Sequence, residues 1–177
     1  MKKIFLFVCL FIATLNKAYS QQLPTFSYLT TSGDTINDKF LSGKAVYINI
    51  WETYCGPCID EIPVLNALKQ KHPNIIFLAI TPATKSKTLK FLKAHPFSFP
   101  VIYEAKDLAA KLIKGGYPTH FFINKSGEMK SLLGRAEATL NYNNSSRPSK
   151  KEIKKEIKRL LNDDNYKKLD ASLSEIE

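Results

Sequence analysis

Cys55 and Cys58 stand two residues apart in the stretch WETYCGPCIDEIP, residues 51–63. Thiols at i and i+3 on one helical turn can close a small disulfide with little backbone rearrangement. Placed at the start of a helix, Cys55 would meet unpaired backbone N–H groups and the positive end of the helix dipole. A thiolate is stabilised there, so the thiol pKa falls, typically by about one unit or more. Cys55 is therefore the expected attacking sulfur. Cys58, one turn deeper, would stay protonated until it resolves a mixed disulfide. Gly56 lets a substrate backbone approach closely, and Pro57 fits a helix start, where its missing N–H would be unpaired anyway.

Other uses of a C-x-x-C compete with exchange. A zinc site needs two further Cys or His ligands, and only Cys9 and the scattered His72, His95 and His120 remain, so no metal site is expected. An inert structural disulfide across so short a loop would restrict the unfolded chain little. A copper- or zinc-handling protein using the pair as soft ligands, and a redox-silent binding module, stay as alternatives. A peroxidase would pair its reactive Cys with a Thr three residues earlier, where this chain has Glu52.

The elements that must hold the dithiol are legible around it. AVYINIW, residues 45–51, is β-branched and aromatic and reads as a buried strand. After the cysteines, Ile59, Ile62, Leu65 and Leu68 recur at helical spacing, and His72-Pro73 ends that helix. Ahead of the strand, residues 25–30 and 35–40 flank a Ser32-Gly33-Asp34 turn and read as a hairpin. IIFLAI, residues 75–80, is a strand covered on both faces. Residues 84–94 form a helix with Leu89, Phe91 and Leu92 inward; 97–103, interrupted by Pro100, gives a short or edge strand. Residues 105–114 form a further helix. Tyr117-Pro118 precedes a strand at 119–123, which turns at Lys125-Ser126-Gly127 into a closing strand, 129–135. Residues 136–149 read as a loop, Ser149 caps a last helix over 150–162, and 163–177 reads as a frayed polar tail.

On these residues the chain resembles thioredoxin, and its longer pattern of Asn49, Trp51, Cys55, Cys58, Glu61 and Pro63 is similar to the TlpA/ResA-like thiol–disulfide oxidoreductases of bacterial envelopes. The likeness runs from about Phe26 to Arg135. It departs at Tyr54, where thioredoxin carries Trp, and at Gly56, where some cytochrome-maturation members carry Glu. The resemblance implies an α/β thioredoxin fold, a central mixed β-sheet flanked by helices, with an N-terminal β-hairpin extension. It implies a cis Pro118 packed against the dithiol and Trp51, Tyr54 and Tyr117 as substrate-docking residues. Asn49 takes the place of thioredoxin's buried acid, and the resemblance offers Glu61 as a substitute acid/base near Cys58; the competing reading of Glu61 is a solvent-facing helical carboxylate. His120 is expected to be a strand residue with no redox part. No cofactor beyond the dithiol is implied. The implied partners are protein disulfides and dithiols, apocytochrome thiols among them, with an upstream membrane electron donor if the protein is a reductase.

The chain of 177 residues, 44% hydrophobic, can support one domain with a proper core, expected at 21–162. Lys2 and Lys3, an apolar run over 4–15 and Ala18-Tyr19-Ser20 form a secretory signal with cleavage expected after Ser20, hence a periplasmic address; an uncleaved anchor is the alternative. The mature chain would keep two cysteines and carry 23 basic against 16 acidic residues, a net charge of +7. Much of the excess falls in 150–159, which has no aromatics to stack on bases, so no nucleic-acid partner is expected and membrane contact is at most peripheral.

Overall fold

The computed structural model describes residues 22–113, 115–133 and 164–177. The signal segment, the end of the closing strand, the 136–149 loop and the basic helix expected at 150–162 lie outside them.

Two strands, β1 (Ser27–Leu29) and β2 (Thr35–Asn37), form the N-terminal hairpin. The second strand is shorter than the sequence suggests. Asn37 accepts the Phe40 N–H at 2.8 Å and caps a short helix, α1 (Asp38–Leu41), so Phe40 is helical and not in the strand. An Asn side chain that satisfies an orphan N–H in this way ends an extended run.

The main sheet has five strands: β3 (Val46–Ile50), β4 (Ile76–Ile80), β5 (Val101–Ile102), β6 (Thr119–Ile123) and β7 (Met129–Leu133). Their order is β5-β4-β3-β6-β7, parallel from β3 to β5 and antiparallel from β3 through β6 to β7. The strand that leads into the dithiol is thus central, which explains a sequence apolar at every position but Asn49. The hairpin is tied to the β5 edge through Thr31 N–H and the Val101 carbonyl, 2.8 Å.

Helices α2 (Gly56–Lys71), α3 (Lys85–Leu92), α4 (Lys106–Leu112) and α5 (Asp164–Ile176) complete the described fold. Alternation along β3 splits the core in two. Tyr47 and Trp51 pack with Val64, Leu65 and Leu68 of α2 and with Leu169, Leu173 and Ile176 of α5. Val46, Ile48 and Ile50 face the hairpin, Leu41 and the α4 residues Leu108, Ala109 and Leu112.

Two further expectations change. Residues assigned to a frayed tail form α5, whose Leu169 and Leu173 are wholly buried. Three apolar residues at helical spacing in a polar segment suffice once a sheet face is there to cover them. Leu89 of α3, expected inward, is exposed, while Phe91 and Leu92 pack on the core, because they share one helical stripe with the buried Thr88 at i, i+3 and i+4 and Leu89 falls beside it.

Candidate functional site

β3 delivers Trp51 to the upper end of the sheet, and the chain turns through Thr53 and Tyr54 into α2. The turn is closed by Cys55 N–H donating to the Glu52 carbonyl at 3.1 Å. Cys55 is the N-cap of α2, and its Sγ accepts the Cys58 N–H at 3.2 Å. That contact is the helix-start stabilisation of sulfur expected from the sequence: an orphan N–H is directed at the atom that becomes the thiolate. The two cysteines form a disulfide with a Cα–Cα distance of 5.3 Å. Cys55 retains 9% of its surface and Cys58 1%, so Cys55 is the more accessible of the two cysteines. Pro57 lies in the first turn, and Gly56 is exposed with open space where a Cβ would stand. The fold itself therefore does not require glycine at 56.

Tyr117-Pro118 is cis. Ile50 pairs with Thr119, so continuing the antiparallel register one step sets Pro118 level with Trp51, at the end of the sheet where the disulfide sits. Tyr54 is 78% exposed beside Cys55. Tyr117 is half-buried, and its phenol pKa is raised by burial first and then by the nearby Glu52 and Tyr54. Trp51 differs from its expected docking place. It is fully buried, with ring centroids of Phe91 and Phe97 at 4.8 and 5.2 Å, because an indole just past the end of the central strand completes the core under the site.

Below the disulfide lies a polar group inside an apolar layer. Glu61, one turn beyond Cys58 on α2, is 1% exposed, so the solvent-facing reading is overturned. Its Oε1 accepts from Asn49 Nδ2 at 2.7 Å. Desolvation pushes its pKa well above the ordinary value, against the lowering effect of the Asn49 bond and with a further rise from Asp60. A neutral carboxyl is the form favoured there. His120, directly opposite Asn49 in the β3–β6 register, is also buried and holds Tyr47 Oη at 2.7 Å from Nδ1. Burial lowers its pKa to about 4, so the ring is neutral. Tyr47 and His120, which the sequence motif does not mark, complete this buried polar group. The available signal was polar residues on the inward parity of two strands, at 47, 49 and 120.

Residues 19–132 match the AhpC/TSA family. The thioredoxin-like protein YneN of Bacillus subtilis is 28% identical over 117 residues, 63% of this chain and 69% of that protein. The thiol-disulfide oxidoreductase ResA of Bacillus cereus is 34% identical over 116 residues, 62% of this chain and 65% of the relative, so the match spans just under two thirds of ResA. Among solved structures, a thiol:disulfide interchange protein of the thioredoxin family from Chlorobium tepidum superposes with a TM-score of 0.58, covering 82% of this chain and 99% of that one at 24% identity. At that identity the likeness shows a shared fold.

Proposed function

The chain belongs to the AhpC/TSA family, and from that premise we propose that it exchanges disulfides with the thiols of other proteins through Cys55 and Cys58. The observation that carries this reading is the 55–58 disulfide at the N-cap of α2, with the sulfur of the more accessible cysteine receiving a backbone N–H. Cys55 thiolate attacks a partner disulfide and one partner sulfur leaves. Cys58 then attacks Cys55 Sγ, the second partner sulfur leaves, and the partner is reduced by two electrons. Glu61 is the acid/base for Cys58 in this reading, supported by its burial one turn away on the same helix face. Tyr54, Tyr117, Gly56 and the backbone at Pro118 form the docking rim. A peroxidase reading is disfavoured by Glu52, whose carboxylate is turned to the Thr53 N–H at 2.8 Å.

We take the working direction to be reduction, with disulfides of envelope proteins as substrates, those that yield apocytochrome thiols among them. The basic start, apolar run and Ala18-Tyr19-Ser20 pattern support export with cleavage after Ser20. In an oxidising compartment the dithiol then needs electrons from a membrane donor, since it would otherwise remain oxidised. Cys55→Ser is expected to abolish insulin reduction, and a variant still active at the native rate would overturn the assignment. Cys58→Ala should accumulate mixed disulfides with the native partners, identifiable after trapping in cells.

A further inference from the structure

Glu61 Oε2 and His120 Nε2 lie 3.5 Å apart inside the protein, and each lacks a hydrogen-bond partner. Neither residue exposes more than 1% of its surface. The other end of the imidazole decides what the Nε2 atom carries. Nδ1 faces the Tyr47 hydroxyl at 2.7 Å and Asn49 Nδ2 at 3.5 Å. An amide nitrogen can only donate and a hydroxyl can donate, so Nδ1 is the lone-pair nitrogen. Nε2 therefore bears the hydrogen, 3.5 Å from the Glu61 oxygen that Asn49 does not hold.

Resting on the exchange reading above, we propose that His120 is a positioning residue for the buried acid: its Nε2–H supplies the second donor to the Glu61 carboxylate formed when the disulfide opens. A donor protein dithiol attacks Cys55 Sγ through its thiolate. The Cys55–Cys58 bond breaks, and Cys58 departs with the electron pair and takes the proton of the Glu61 carboxyl. The donor's second thiol loses its proton to solvent and attacks the mixed disulfide, releasing Cys55 as thiolate. The donor leaves as a disulfide, two electrons having passed to the pair. When a partner disulfide is reduced, Cys58 returns its proton to Glu61.

Each turnover thus passes through a carboxylate sealed from water. The groups around it are Asn49 and Tyr47 from β3, His120 from β6, and Cys58 and Asp60 on its own helix; the Asp60 charge opposes ionisation. Asn49 alone is one donor. The 3.5 Å gap to His120 suits a neutral acid, and an ionised one draws an N–H to about 2.7–2.9 Å. A neutral imidazole donates without adding a full charge to the core, which a lysine at this place would do.

The test follows the Glu61 carboxyl carbon by NMR through a pH titration of the oxidised protein. His120→Leu is expected to raise the Glu61 midpoint by about one to two pH units, the worth of one hydrogen bond to a charge. It should move the pH profile of dithiol-driven reduction the same way, and His120→Gln, which keeps a donor there, should recover part of the shift. Identical midpoints in His120→Leu and the native protein overturn the proposal. Should His120→Leu not fold, the native protein decides the matter through its imidazole nitrogen shifts. An Nε2–H tautomer whose ring proton moves downfield on reduction supports the proposal; an Nδ1–H tautomer, or no movement, overturns it. Loss of the exchange reading would be seen separately, as full activity in Cys55→Ser.

Discussion

At the scale of single residues, the site is governed by what burial does to charge. Glu61 binds its proton more tightly in the folded chain than in the unfolded one. Its contribution to stability is therefore present below the unfolded pKa and is lost as pH rises through the raised, folded value. His120 has the opposite sign: its folded pKa is about 4 against 6.5 unfolded, so stability falls as pH drops through that window. The two slopes oppose each other in the native protein. Replacing Glu61 by Gln removes one of them. Urea unfolding of oxidised Glu61→Gln should then show stability rising by roughly 3 kcal/mol between pH 4 and 6.5, since one pKa unit is about 1.4 kcal/mol. A flat profile in that variant would mean the ring is not buried neutral. Cys55 and Cys58 were readable because their spacing on a helix start has a chemical consequence by itself. The sequence sets Glu61 near Cys58 without showing its burial, since i+3 spacing gives its helix position and not what covers that face.

At the scale of elements, α2 and α5 carry the stability of the dithiol face. Pro63 removes one ladder donor within α2, yet the helix continues to Lys71, because its buried face of Ile62, Val64, Leu65 and Leu68 outweighs one lost bond. Its end is fastened by His72, whose ring nitrogens lie 2.8 Å from Asp170 and 3.1 Å from Glu177 of the last helix and its terminus. Hydrogen bonds from Lys71 and His72 hold the Asp170 carboxyl below its ordinary pKa despite its partial burial. A lowered acid pKa means that this contact stabilises above the unfolded value and is lost as pH falls through the folded one. Asp170→Asn should loosen α5 at neutral pH and reduce its acid sensitivity, read from hydrogen exchange of the α5 amides. Leu173→Ala, at a position with no exposed surface, should cost about 2–5 kcal/mol in urea melts. A cost under ~0.5 kcal/mol would show that α5 does not pack as described.

Over the whole molecule, the sheet separates two cores with different work. The hairpin, α1 and α4 close one face with apolar residues. The other face holds the disulfide, the aromatic cage of Trp51 and the polar group of Tyr47, Asn49, Glu61 and His120, and α5 covers part of it. Deleting 164–177 should therefore lower the thermal midpoint and raise dye binding by exposed apolar surface. A truncated protein that melts like the intact one would deny α5 that place.

The sequence alone determined the strand–dithiol–helix unit, the order of the elements from hairpin to closing strand apart from α1, and the strand that starts after Pro118, because periodicity and punctuation are local properties of the chain. Only the tertiary structure decided that Glu61 is buried, that Trp51 is core and not rim, that a polar segment at the end is a packed helix, and that His120 faces Glu61. Those outcomes depend on β3–β6 register and on which face each helix presents. They join residues as far apart as 47 and 120, a pairing no spacing along the chain encodes.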